Sequence, residues 1–298
     1  HMRFLILFSI ILSLSSLHAG EVADSLLKKT SQKIEQKVEL AANDLFDNIE
    51  IDLSGFHEGK PSYSVMSLLP LYDANNRNSF LQAHLSTQAD VNMFNVGFVQ
   101  RQGSFDNKMI FGYNLFYDLD LEHSHERWGA GADLLSSLGD IHFNYYEAIT
   151  DFKTVNGSKE YTLDGYDMQI GFPLPYLPKS KLYVEVFSWN GINSSRDLQG
   201  EQYSLKSELP YGITLELGKT SYNQISKDEE FITLNINLLE LKNKHKSFKY
   251  EISQIYSSTP YDKLNFSDIS DRKYEKVRRE NKIKKQTTRS GTVKIIGY

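Results

Sequence analysis

The sequence predicts an all-β protein: a twelve-stranded antiparallel transmembrane β-barrel with an N-terminal amphipathic helix. Three observations predict it. The chain begins with a short apolar run of the secretory type; a two-residue hydrophobic period then holds from Ile49 to Glu240; and 18 Tyr and 17 Phe stand against only 7 Pro, the composition of many strands with half-polar faces.

At the N-terminus, Arg3 precedes an apolar run from Phe4 to Leu14, followed by small and polar residues and a cleavage-type Leu17-His18-Ala19, so residues 1–19 read as a signal peptide. The run is too short for a helical membrane anchor, which needs about 20 apolar residues, and no later segment is long enough. Residues 20–48 change to a helical pattern, with Val22, Leu26, Ile34, Val38, Ala41 and Leu45 at three- and four-residue steps among Lys, Glu and Gln. This predicts a periplasmic amphipathic helix that packs at the barrel mouth; a coiled-coil or partner-binding helix is the alternative.

After Asn48 the period becomes two. Between Lys108 and Leu121, Met109, Phe111, Tyr113, Leu115, Tyr117 and Leu119 alternate with Gly112, Asn114, Asp118 and Asp120. Tyr166, Met168, Ile170 and Phe172 alternate with Asp167, Gln169 and Gly171, and Ile232, Leu234 and Ile236 with Thr233 and Asn235. A soluble sandwich would give the same alternation, so length and export must arbitrate. The runs are about 9–12 residues, the length of a tilted membrane-crossing strand, and the signal peptide supplies the route. In lipid an open sheet edge leaves unpaired backbone groups, so the sheet must close, with an even number of strands.

Twelve such runs lie near 49–57, 62–72, 79–88, 91–101, 108–121, 126–137, 140–149, 163–174, 180–190, 200–209, 212–222 and 229–240, giving a barrel over 49–240 and a post-barrel segment over 241–298. With a periplasmic N-terminus, the connections after odd-numbered strands face outward. Those around Thr150–Lys159 and Asn190–Gln199 are long and polar, whereas Ser137-Leu138-Gly139 and Pro210-Tyr211 are tight, the asymmetry expected of outer-membrane barrels.

The absence of cysteine removes disulfides, thiolate nucleophiles and Cys-ligated metals, and a formal charge of −5 gives no reason to expect a nucleic-acid partner. Asp118 and Asp120, on the lumen side, face Arg127 across a turn; two carboxylates fall short of the oxygen count for calcium, so an acid–base network stiffening the rim is expected. His123 and His125 are expected to be solvated loop residues with no third ligand for zinc. A barrel phospholipase would need a Ser–His pair on the lipid-facing wall, but His84 and His142 fall on the inward face. Neither catalysis, nor a cofactor, nor a metal is expected. Asp52, Asp133, Asp167, Glu185 and Glu216 also point inward by parity, while Arg272, Lys273, Lys276, Arg278, Arg279, Lys282, Lys284, Lys285 and Arg289 make the post-barrel segment basic. An acidic lumen should attract that segment as a plug; a solvated periplasmic tail is the alternative.

Several stretches resemble the inverse autotransporter β-domain, the translocator barrel of the intimin/invasin family: LLPLYDANNRNSFLQAHLS at 68–86, IFGYNLFYDLDLEHSHERWGAGADLL at 110–135, DGYDMQIGFPLPYLPKSKLYVEVF at 164–187 and RKYEKVRRENKI at 272–283. They come in the family's order and cover about residues 49–283. The resemblance implies a twelve-stranded pore whose following chain threads the lumen and continues outside as a passenger, in adhesion- or invasion-type systems. It marks Tyr274, Val277, Arg279 and Asn281 as linker residues and implies periplasmic chaperones, the barrel-assembly machinery and outer-membrane lipid as partners, with a host or neighbouring-cell ligand at the surface. Only about fifteen residues follow the last motif, so no passenger domain is expected within this chain. The rival expectations are a barrel that binds surfaces through its own loops, and a diffusion channel.

Overall fold

Strict alternation decides where each side chain can go: in a pleated strand, neighbours project to opposite faces, so one set meets the surroundings of the sheet and the other its interior. The computed structural model describes residues 48–54, 62–74, 76–88, 91–193, 195–223, 228–242, 253, 255–258, 266–289 and 292–296. The expected signal peptide over 1–19 and the expected helix over 20–48 lie outside the described residues, except Asn48, which opens the first strand.

In chain order the strands are β1 (Asn48–Ser54), β2 (Ser62–Ala74), β3 (Arg77–Gln88), β4 (Val91–Ser104), β5 (Met109–Asp120), β6 (Glu126–Ser136), β7 (Asp140–Ala148), β8 (Phe152–Val155), β9 (Ser158–Thr162), β10 (Gly165–Leu174), β11 (Leu177–Trp189), β12 (Leu198–Leu209), β13 (Ile213–Tyr222), β14 (Glu229–Asn237), β15 (Lys285–Arg289) and β16 (Thr292–Ile296). Twelve of them, all but β8, β9, β15 and β16, close into one antiparallel barrel, and β1 pairs with β14 from Glu50↔Asn237 to Ser54↔Thr233. Closure removes both sheet edges. Proline falls where the ladder slips: the register shifts between Pro70 and Tyr72 in β2 and between Pro173 and Leu174 in β10, where a residue lacking N–H cannot hold a regular pairing.

The alternating faces are inverted relative to a soluble protein. Phe111, Tyr113 and Leu115 are exposed, Leu115 at 57%, while Asn114, Asp118 and Asp120 on the opposite face of β5 are buried. Apolar packing inside is confined to small islands, such as Met66, Leu68, Phe80, Val99 and Phe116, which enclose Val277.

One end of the barrel carries the tight connections 105–108, 137–139, 175–176 and 210–212; the other carries 149–164 and 190–197. Two features depart from the expected layout. The stretch predicted as a polar loop around Thr150–Lys159 folds into the β8–β9 hairpin, and that hairpin pairs with β15 and β16 in a separate four-stranded sheet of order β16-β15-β9-β8. The last barrel strand stops at Asn237 rather than running to 240, because Asn237 Oδ1 accepts hydrogen bonds from Leu239 N and Glu240 N and starts a short helix, α1 (Leu238–Lys242).

Candidate functional site

The inward face of β3 to β7 and β10 is a wall of amides, carboxylates and guanidiniums, and in a closed space each must find a partner or cost about 1–3 kcal/mol. Much of that pairing is supplied by the chain after the barrel. At the tight-turn end, Ile269 N donates to Asn107 O and Ser267 N to Ser137 Oγ. Arg272 then forks onto Asp140 with Nη1–Oδ1 at 2.8 Å and Nη2–Oδ2 at 2.9 Å, and Lys273 reaches Asp73 at 2.6 Å.

Halfway along, Lys276 lies 3.2 Å from Glu50 and 3.4 Å from Asp52, and Arg278 Nη2 donates to Glu216 at 2.8 Å. Val277 enters the apolar island and Tyr274 sets its ring edge-on to Phe80, with centroids 5.6 Å apart. Arg279 is the most enclosed contact: Nη1 and Nη2 donate to the two oxygens of Asp118 at 2.8 and 2.7 Å, and the guanidinium lies 4.3 Å from the centre of the Phe116 ring. Asp118 also accepts from Arg127 Nε at 2.9 Å and from Asn95 Nδ2 at 2.7 Å. Asn281 O accepts from the same Asn95 at 2.8 Å.

At the far end Lys285 Nζ lies 3.0 Å from Asp120 and 3.3 Å from Glu160, and β15 pairs with β9 from Lys285↔Thr162 to Thr288↔Lys159. Residues 266–289 therefore pass from the tight-turn end, through the lumen, to the long-loop end. Glu160, on the hairpin outside the barrel wall, has its carboxyl held down at about 2, first by His125, whose Nε2 is 3.4 Å away, and then by Lys285.

Among the residues picked out by parity, Asp118, Asp120 and Arg127 share this network. Asp133 pairs instead with Arg101 and His142, each at 3.0 Å, and Asp167 accepts from Tyr146 OH at 2.6 Å and Asn144 at 2.7 Å. The structure corrects the histidines: His123 is half-buried and contacts Asp120, but His125 is fully buried, its Nδ1 2.9 Å from Thr162 Oγ1. The β8–β9 hairpin folding over the turn is what covers it. Thr162, His125 and Glu160 thus form a hydroxyl–imidazole–carboxylate series, with Thr162 buried at 3% exposure. No group of three or more metal-ligating side chains occurs among the described residues. Sequence reasoning missed Asp140, Asn95, Asn144 and Tyr146; the last three share the inward parity of their strands, and Asp140 that of His142 and Asn144.

A closed antiparallel barrel with an apolar outer wall, a polar lumen and its own chain drawn through that lumen is an outer-membrane type of β-barrel. The chain matches the inverse autotransporter β-domain over residues 11–254 and belongs to that family, whose members are barrels of the Gram-negative outer membrane. It is similar to the invasin of Yersinia enterocolitica, 27% identical over 176 residues covering 53% of this chain and 20% of invasin. A putative attaching and effacing protein homolog of Escherichia coli (strain K12) is 26% identical over 155 residues, covering 50% of this chain and 52% of that protein. The chain thus spans about half or less of the length of these relatives. A solved membrane-protein chain from work on in-meso crystallization superposes with a TM-score of 0.65 at 18% identity, over 81% of this chain and 99% of that one, and so shares the fold.

Proposed function

We propose that this barrel anchors and exports a C-terminal polypeptide to the cell surface, as the translocator of an adhesion- or invasion-type system. The observation that carries the reading is the course of residues 266–289, which enter at the end with the tight turns and emerge at the end with the long connections, where β15 joins the β8–β9 hairpin. With the N-terminus periplasmic, the long-loop end faces outward and the chain leaves the barrel on the outside. The ion pairs at Asp140, Asp118 and Asp120 then hold the emerged chain at one register, so that the barrel is also its plug and its anchor.

The partners this reading requires are outer-membrane lipid around the exposed aromatic and aliphatic face, periplasmic chaperones, the barrel-assembly machinery, and a ligand on a host or neighbouring cell for whatever is displayed. An epitope placed at the C-terminus of the full chain tests the reading. In intact cells it should be reached by antibody and removed by added protease. An epitope reached only after the outer membrane is permeabilised would overturn it.

A further inference from the structure

The lumen wall holds the threaded segment in two separable ways. Side chains of the segment meet carboxylates of the wall, as described above. Independently, side chains of the wall meet the segment's main chain, almost residue by residue. Asn78 Nδ2 donates to Lys273 O at 2.9 Å and Arg101 Nη1 to Glu275 O at 2.5 Å. Val277 N donates to Gln82 Oε1 at 2.9 Å, and Asn144 Nδ2 donates to Arg278 O at 2.9 Å. Glu280 N donates to Tyr146 OH at 2.7 Å, and Arg127 donates to Glu280 O at 2.8 Å and Lys282 O at 3.1 Å. Asn95 takes Asn281 O, and the main-chain N–H of Leu163 takes Lys284 O at 3.0 Å.

Peptide N–H and C=O groups are the same in every sequence, so a wall that bonds to them does not discriminate between side chains. It does discriminate between conformations: a helix satisfies its own backbone, whereas an extended chain presents free donors and acceptors at each step. The groups that do the bonding suit a moving client. Amides and a phenol offer donor and acceptor, and the Arg101 and Arg127 forks are fixed by Asp133 and Asp118, so the row stands ready whatever occupies the lumen.

We infer that Asn78, Arg101, Asn95, Asn144, Tyr146 and Arg127 form a main-chain-reading track along β3 to β7, whose substrate class is any polypeptide outside an α-helix, here a single 3-10 turn at Ser270–Arg272 followed by irregular chain. The inference rests on the export reading and deepens it. The track carries each passing stretch at similar cost, and the ion pairs to Arg272, Arg279 and Lys285 stop the chain only when the last stretch arrives.

The test uses the full chain with an epitope-tagged extension at its C-terminus, in two versions, one rich in Gly and Ser and one rich in charged residues. Surface appearance of the tag is followed in time on intact cells. A wall variant, Asn78→Leu, Asn95→Leu, Asn144→Leu and Tyr146→Phe combined, removes the polar groups of the track while keeping the branching of each side chain. A segment variant, Tyr274→Ser, Val277→Ser, Arg278→Ser and Lys282→Ser, leaves every main-chain group in place. The wall variant should slow appearance of both tags by about tenfold, as loss of several hydrogen bonds implies, and the segment variant should stay within about twofold of the parent. Glu208→Gln, which loses only an exposed pair with Lys179 and is no part of the track, should leave the rate unchanged. Barrel folding of each variant is read from its heat-modifiable gel mobility; if the combined variant fails that check, the single changes Tyr146→Phe and Asn144→Leu are read instead, each slowing both tags by about two- to threefold. A wall variant as fast as the parent, slowing of one tag only, or an equal slowing by the segment variant would overturn the track. A parent chain whose tag never reaches the surface would sink the export reading itself, a result distinct from all of these.

Discussion

Asp118 is the junction at which the threaded chain and the barrel wall depend on each other, and replacing it with Asn keeps its shape while removing its charge. In the native arrangement its carboxylate takes two contacts from Arg127, at 2.9 and 2.8 Å, and two from Arg279, at 2.8 and 2.7 Å, and none of the three side chains is more than 1% exposed. Asp118→Asn leaves two buried guanidiniums around a neutral amide, a broken buried pair that costs about 3–5 kcal/mol. Arg279→Met removes the guanidinium that lies over Phe116 but leaves Asp118 paired with Arg127, so charge-assisted hydrogen bonds worth about 1.5–3 kcal/mol and one cation–π contact of about 1 kcal/mol are lost without stranding a buried charge. Since part of the first penalty is the stranded Arg279, the double variant should cost no more than Asp118→Asn alone. Equilibrium urea unfolding in micelles measures all three, followed by fluorescence from the only two tryptophans, Trp128 and Trp189, the latter 5.6 Å from the Arg127 guanidinium. An Asp118→Asn variant less destabilised than Arg279→Met, or two single costs that simply add, would refute the reasoning.

Three further outcomes follow from the same geometry. Leu115→Lys puts a charge on the lipid-facing side of β5 and should destabilise the barrel in bilayers by about 2–4 kcal/mol if it lies near the midplane, measured by urea unfolding in vesicles. Gly131→Ala places a methyl 2.4 Å from Asn144 Oδ1 and 2.8 Å from Asn114 Nδ2, both inward side chains, and should lower the thermal midpoint of the heat-modifiable transition, whereas Gly157→Ala at the hairpin tip meets nothing and pays only for its positive φ. For Glu160 the folded carboxyl is held at about 2 against an ordinary 4.5, so its contribution to docking the β8–β9 hairpin on β15 is complete above pH 4.5 and fades as the pH falls towards 2; amide protection of residues 158–162, taken relative to the intrinsic exchange rate at each pH, should fall across that window in the parent and change less in Glu160→Gln.

The barrel was legible because its strands keep one apolar and one polar face over the length of a membrane crossing, run after run. A run such as Phe111, Tyr113, Leu115 opposite Asn114 and Asp118 has two faces that both want company, and counting such runs reproduces the twelve strands. The extramural sheet was not legible for the opposite reason. Phe152–Val155, Ser158–Thr162 and Lys285–Arg289 are four or five residues long with no sustained apolar alternation, and β9 meets β15 only because the chain first crosses the lumen. The end of β14 escaped notice because Leu238 continues the apolar rhythm while Asn237, a capping residue, marks the change. Within the site, parity indicates which residues face inward but not whom they meet: nothing in the sequence pairs Asp133 with His142 rather than with the basic segment, or buries His125 under a hairpin.

Charge balance explains why the lumen and its segment form one unit. Asp52, Asp118, Asp140 and Glu216 face inward from different strands, while the wall supplies Arg127 and Lys181 as cations near them; Arg272, Lys276, Arg278 and Arg279 of the segment bring the balancing charge. Water in an open pore would solvate the carboxylates, so the ion pairs gain only what exceeds that solvation, and among the pairs at Asp140, Asp118 and Asp120 the fully enclosed one of Asp118 with Arg279 is the one that costs most to strand out of register. The contacts to the main chain cannot fix register, because sliding the chain forward presents the same groups again. On the export reading, a barrel that passes many residues and holds the last few needs both kinds of contact, and here they fall on different atoms of the same segment.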